Sequence, residues 1–167
     1  MNNHRCVVAD SNDEVLEKLA SFALAGMNEK AFVLGFLREE EIRNFFEIIE
    51  KQRGGGRLLK SAISESRLSI RTHSECFFSN GQFSTQTALE SIGKFYSAAK
   101  AGGFGKFHAF GNATFIMERP PGYGDFFGFE SRLTPLASAD RRIKILCGYA
   151  RFAFPEALLE EALRIHS

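Results

Sequence analysis

Short runs of consecutive apolar residues alternate along this chain with longer stretches whose apolar positions recur every three or four residues. The first run, Cys6-Val7-Val8-Ala9, ends in the polar cluster Asp10-Ser11-Asn12-Asp13. Val15, Leu19, Phe22 and Ala23 then share one helical face, and Ser11 and Glu14 have the spacing of a capping box at its start. Gly26 and Asn28-Glu29-Lys30 close that helix before a second apolar run, Ala31 to Phe36. Both runs are apolar on both faces, as strands of a covered parallel sheet are. An edge position would waste such a strand, so the first is expected inside the sheet, beside the fourth and fifth.

The alternation continues. Ile42, Phe45, Phe46 and Ile49 make an amphipathic helix of Glu39 to Gln52, whose acidic first turn suits the helix dipole. Arg53-Gly54-Gly55-Gly56-Arg57 reads as a loop, followed by a short helix from Leu58 to Ser64. Arg67 to Thr72 reads as a strand, and Asn80-Gly81 as a turn. Ser84 caps a helix reaching Lys100, and a strand from Lys106 to Ala113 follows. Arg119 to Gly124 holds adjacent prolines and two glycines and reads as a loop. A helix from about Asp125 should kink or end at Pro135. Arg142 to Phe152 is the last strand, and Pro155 opens a closing helix. Five strands alternating with helices predict an α/β fold, a mainly parallel sheet with helices on both faces. The 167 residues suit a single domain, 1–167.

Composition narrows the function by exclusion. A net charge of +1, mixed along the chain, lacks the basic surface that direct nucleic-acid binding needs. No apolar run is long enough to span a bilayer. The start MNNHRC has no signal-peptide pattern, so the expected location is cytoplasmic, without membrane association. The loop Asp10 to Asp13 has no glycine and no lysine to cradle phosphate. Three cysteines, Cys6, Cys76 and Cys147, are widely spaced and read as reduced, buried small hydrophobes. His4, His73, His108 and His166 lie on separate elements without HxH or HxxxH spacing, so no metal site and no cofactor is expected. No nucleophile motif occurs, so no catalytic residue is assigned. Glu118 and Glu130 read as partners of Arg119 and Arg132. The chain has no tryptophan but 18 phenylalanines. A cluster of aromatics from Phe104 to Phe129, just past a strand end, fits the lining of a small-molecule pocket.

The chain resembles the MEDS domain, the methanogen/methylotroph sensory domain of dichloromethane-responsive repressors and some histidine kinases. The residues that carry the likeness are His4, Phe22, Ala25-Gly26-Met27, Asn80-Gly81-Gln82-Phe83, Pro121-Gly122, Phe129-Glu130, Cys147-Gly148-Tyr149 and His166. The resemblance implies a RecA-like fold that has lost its phosphate-binding loop, and a role in sensing small hydrocarbon derivatives. The family often has Glu and Trp where this chain has Asn112 and Phe115, and an Asn where it has Thr134.

Together these features predict a non-catalytic sensory domain that binds a small, largely apolar ligand and signals to a protein partner. Self-association into a homo-oligomer is left open. The ligand is expected above the carboxyl ends of strands one, four and five, touching Asp10, Ser11, Asn112, Phe115, Tyr149 and Arg151. A helix bearing Phe126 and Glu130 would wall it. The rivals are a degenerate ATPase-fold interaction module without a ligand, and an enzyme on a small apolar substrate.

Overall fold

The computed structural model describes residues 3–118 and 123–167. Strand β1 (His4–Ala9) leads to helix α1 (Asn12–Asn28), β2 (Phe32–Leu37), α2 (Glu39–Lys51), α3 (Gly55–Ser64) and β3 (Leu68–Thr72). A short helix α4 (His73–Cys76) and a hairpin of β4 (Phe78–Ser79) and β5 (Gln82–Phe83) follow. Then come α5 (Thr85–Ala101), β6 (Phe107–Asn112), a 3-10 turn (Ala113–Glu118), α6 (Tyr123–Ala139), β7 (Ile143–Ala150), a second 3-10 turn (Arg151–Ala153) and α7 (Glu156–Ile165).

The five long strands form one sheet in the order β1-β7-β6-β2-β3, and every pairing in it is parallel. Alternation along the strands feeds two cores. Val33, Leu37, Phe110 and Ala150 pack under α1, α2 and α3. Leu34, Phe36, Phe107, Ala109, Ile145, Cys147 and Tyr149 pack under α5, α6 and α7. The α/β class is as the pattern predicts.

The placement of β1 is not. Among the described residues it is an edge strand, paired with β7 alone. Helix cover, not a central position, accounts for its apolar faces: Ala9 joins the core under α1, and Cys6 and Val8 pack into the opposite one. The glycine run is not a loop either. Gly54 takes the left-handed conformation (φ +75°) that turns α2 into α3, and Gly55 already begins α3. A Cβ on Gly55 would stand 1.9 Å from the Ile49 carbonyl oxygen, so this junction needs glycine. Helix α6 continues through Pro135 to Ala139. Asn80 and Gly81 both have positive φ and turn the β4–β5 hairpin, as their pairing predicts. The loop expected over Arg119 to Gly124 falls largely outside the described residues.

Candidate functional site

The eight residues expected at one site divide among four environments. Asp10 and Arg151, beyond the ends of β1 and β7, form an exposed ion pair at 3.2 Å. Ser11 is spent as the cap of α1, accepting from the Glu14 amide.

Asn112, at the carboxyl end of β6, belongs to a buried polar brace. Its side-chain amide donates to Asn12 Oδ1 at 2.8 Å and to Glu41 Oε1 at 2.9 Å. Its own oxygen accepts from the Thr114 amide. Arg38 clamps the same Glu41 carboxylate at 2.6 Å and reaches Glu118 as well. This brace ties α1 and α2 to β6 where the strand order reverses between β2 and β6, the crevice where open α/β sheets hold ligands.

Phe115 and Phe126 lie deeper, in the core beneath α5 and α6. With Phe36, His73, Phe77 and Phe129 they line a cavity of about 30 Å³. A groove of about 200 Å³ opens outside it, over the ends of β2, β3 and β6, between Arg38, Thr72, Phe78 and Glu118. His73 and Phe115 face both spaces. Burial, aided by the Arg38 charge, lowers the His73 pKa to about 3, so its imidazole is neutral. Its Nδ1 is buried and has no hydrogen-bond partner among the described residues.

Glu130 and Tyr149 belong to a second buried group that spacing along the chain does not reveal. His4 of β1, Glu130 of α6, Cys147 of β7 and His166 at the end of α7 bring their polar atoms within 4.8 Å of one another. Glu130 Oε2 is 3.3 Å from Nε2 of both histidines, and His4 Nε2 is 3.4 Å from Cys147 Sγ. Burial raises the Glu130 pKa, but contacts with His166 and His4 outweigh it and hold the carboxyl at about 2. Burial and the Glu130 charge push the Cys147 thiol up and the Tyr149 hydroxyl well up. The Tyr149 hydroxyl is buried beside the Glu130 carboxylate. Glu130 and Cys147 also line the 30 Å³ cavity, so the polar group forms one wall of an otherwise aromatic space.

Sequence reasoning named His4, Glu130, Cys147, Tyr149 and His166 as carriers of a resemblance but did not join them as one site. The signal was alternation: His4 on β1 and Cys147 on β7 both point toward α6, where Glu130 faces inward. It missed His73, the whole of α4 and the Glu41–Asn112 brace.

The family model for MEDS, MEthanogen/methylotroph, DcmR Sensory domain, matches residues 3–167. No curated protein matches the chain.

Proposed function

Because the chain belongs to the MEDS family of sensory domains, we propose that it is a non-catalytic sensor of a small, largely apolar molecule held in the cavity between the sheet and α6. The observation that carries this reading is the largely aromatic space of about 30 Å³. An apolar cavity of about 150 Å³ accepts benzene, so this one suits a molecule of roughly one or two heavy atoms until its wall moves. The stacked rings of His73 and Phe115 divide it from the outer groove and form the movable partition. Glu130 and Cys147 supply the polar side that orients a carbon–heteroatom bond. Asn112 braces the wall, because its amide is already committed to Asn12 and Glu41. A ligand that shifts the partition would move α4 and the turn after β6, and a protein partner would read that movement.

Catalysis is disfavoured by the same groups. A thiol whose pKa is pushed up by burial is the opposite of an activated nucleophile.

The test is a thermal-shift series with short alcohols, halocarbons and short acids. A ligand bound by the folded state alone raises the melting temperature with concentration. If none of them stabilises the protein, the cavity is a packing defect and the interaction-module reading replaces this one.

A further inference from the structure

We propose that His4, Glu130, Cys147 and His166 form a buried site for one divalent transition-metal ion of the zinc class. The proposal is independent of whether a small molecule enters the neighbouring cavity.

The first argument is hydrogen-bond direction. His166 Nδ1 lies 2.6 Å from the Ala162 carbonyl oxygen, which can only accept, so Nδ1 carries the proton. Thr134 Oγ1 lies 2.9 Å from His4 Nδ1 and 3.5 Å from the Ile165 carbonyl oxygen, so it has a lone pair to accept from a protonated His4 Nδ1. His166 is thereby fixed as an Nδ1–H donor, and Thr134 lets His4 adopt the same tautomer. Each turns Nε2 toward Glu130 and Cys147, the outer-sphere arrangement that orients metal-bound imidazoles.

Spacing is the second argument. A proton shared between imidazole and carboxylate draws nitrogen and oxygen to about 2.7–2.9 Å. Here both Nε2–Oε2 separations are 3.3 Å. Ligands about 2.0–2.1 Å from a tetrahedral ion stand about 3.3 Å apart, and a thiolate at about 2.3 Å stands about 3.5 Å from an imidazole nitrogen. The His4–Cys147 separation of 3.4 Å fits the second value; the four donor atoms as a set lie within 4.8 Å of one another, so the widest pairs must draw in to complete a tetrahedron.

Charge and donor type agree. Glu130, Cys147 and His4 are almost wholly buried, as is the His166 side chain. A carboxylate and a thiolate together carry two negative charges, which a divalent ion neutralises in a place where unbalanced charge is costly. Two imidazoles, one thiolate and one carboxylate suit zinc-class ions and not calcium or magnesium, which take oxygen ligands. The four donors come from β1, α6, β7 and the end of α7, so the ion would pin the first strand and the last helix to the wall of the cavity.

The experiment titrates the tag-free, metal-depleted full chain with Co²⁺ alone, then displaces it with Zn²⁺. Saturation is expected near one ion per chain, with visible bands of a tetrahedral centre and a thiolate-to-cobalt charge-transfer band, all bleached by Zn²⁺. Cys147→Ser should lose the charge-transfer band, and Cys6→Ser, on the adjoining strand, should keep it. Glu130→Gln should keep the band and bind at least tenfold more weakly. A wild-type chain that is folded by circular dichroism yet takes up no stoichiometric Co²⁺ overturns the proposal. So does a spectrum without the thiolate band, or a band that follows Cys6 in place of Cys147. Should Cys147→Ser fail to fold, the spectra of wild type and Cys6→Ser decide the matter.

Discussion

The His73 imidazole lies flat on the Phe115 ring, with centroids 3.8 Å apart and planes within 16° of parallel. Both residues are buried, and together they stand between an aromatic cavity and the groove beside it, lining both. The pair is both a packing contact and a barrier, so the two properties can be probed by the same substitutions.

Phe115→Ala removes one half of the barrier. Phe115 also packs against Phe77, Phe83 and Phe126, so little can collapse into the space. The expected cost is about 3–5 kcal/mol, measured by urea denaturation. The enlarged cavity should also take larger apolar probes than wild type, so a compound such as benzene should restore part of the lost melting temperature. A loss under about 1 kcal/mol would mean that the ring is not packed as described.

His73 gives a pH dependence with a defined sign. Its folded pKa is depressed to about 3, chiefly by burial, against about 6.5 in the unfolded chain. The unfolded state therefore binds a proton that the folded state refuses. Stability is fully present above pH ~6.5 and falls as pH drops toward 3, by up to about 1.4 kcal/mol per unit for this group. His108, lowered to about 4 by burial and then by the Lys144 charge, acts in the same direction. Denaturation of wild type and His73→Gln between pH 7 and pH 5 isolates the contribution. The variant should lose less stability on acidification, and equal slopes would remove His73 from the account.

Magnesium-ATP and magnesium-GTP should not bind. The turn after β1 offers phosphate no lysine, and its Asp10 amide is already taken by the Glu14 carboxylate. Asp13 and Glu14 occupy the first turn of α1, where they repel the anion that a helix N-terminus would otherwise attract. Titration calorimetry checks this, and saturable binding in the micromolar range would contradict it.

Two glycines should respond to alanine with opposite signs. A Cβ on Gly148 would stand 2.5 Å from Cγ1 of Val15, which is fully buried. Gly148→Ala should cost about 1–3 kcal/mol. Gly93 lies inside α5 with nothing within 4 Å of an added Cβ. Gly93→Ala should stabilise by roughly 0.5–1 kcal/mol. Parallel chemical denaturation of both variants is the measurement.

Local periodicity revealed the elements well. Ile42, Phe45, Phe46 and Ile49 marked α2, and Ser11 with Glu14 marked the start of α1. These signals are short-range, and the physics that makes them is short-range too. Strand order is not a local property. The apolar faces of β1 report helix cover on both sides and cannot distinguish an edge strand from a central one. The glycine run looked like a loop because its defining contact, Gly55 against the Ile49 carbonyl, depends on the angle between two helices. The buried His4–Glu130–Cys147–His166 group was invisible to spacing rules because its members lie on four elements from opposite ends of the sequence. The expected site gathers only in part: Asn112, Phe115, Phe126 and Glu130 line one cavity, while Asp10 and Arg151 pair at the surface. Asp10 and Arg151 follow the adjacent strands β1 and β7, whereas the reversal of strand order lies between β6 and β2.

The strand order also bears on how the molecule is made. Among the described residues β1 has no neighbour in the sheet except β7, and those strands occupy residues 4–9 and 143–150. At a synthesis rate of about 5–20 residues per second, β1 waits on the order of ten seconds for its partner to be translated. During that interval Val7 and Val8 are a short sticky segment with unpaired backbone, held in place at best by α1. Such distant pairing makes for slow folding. A chain interrupted before β7 would hold β2 and β3 together, but its oldest strand would stay open to other chains.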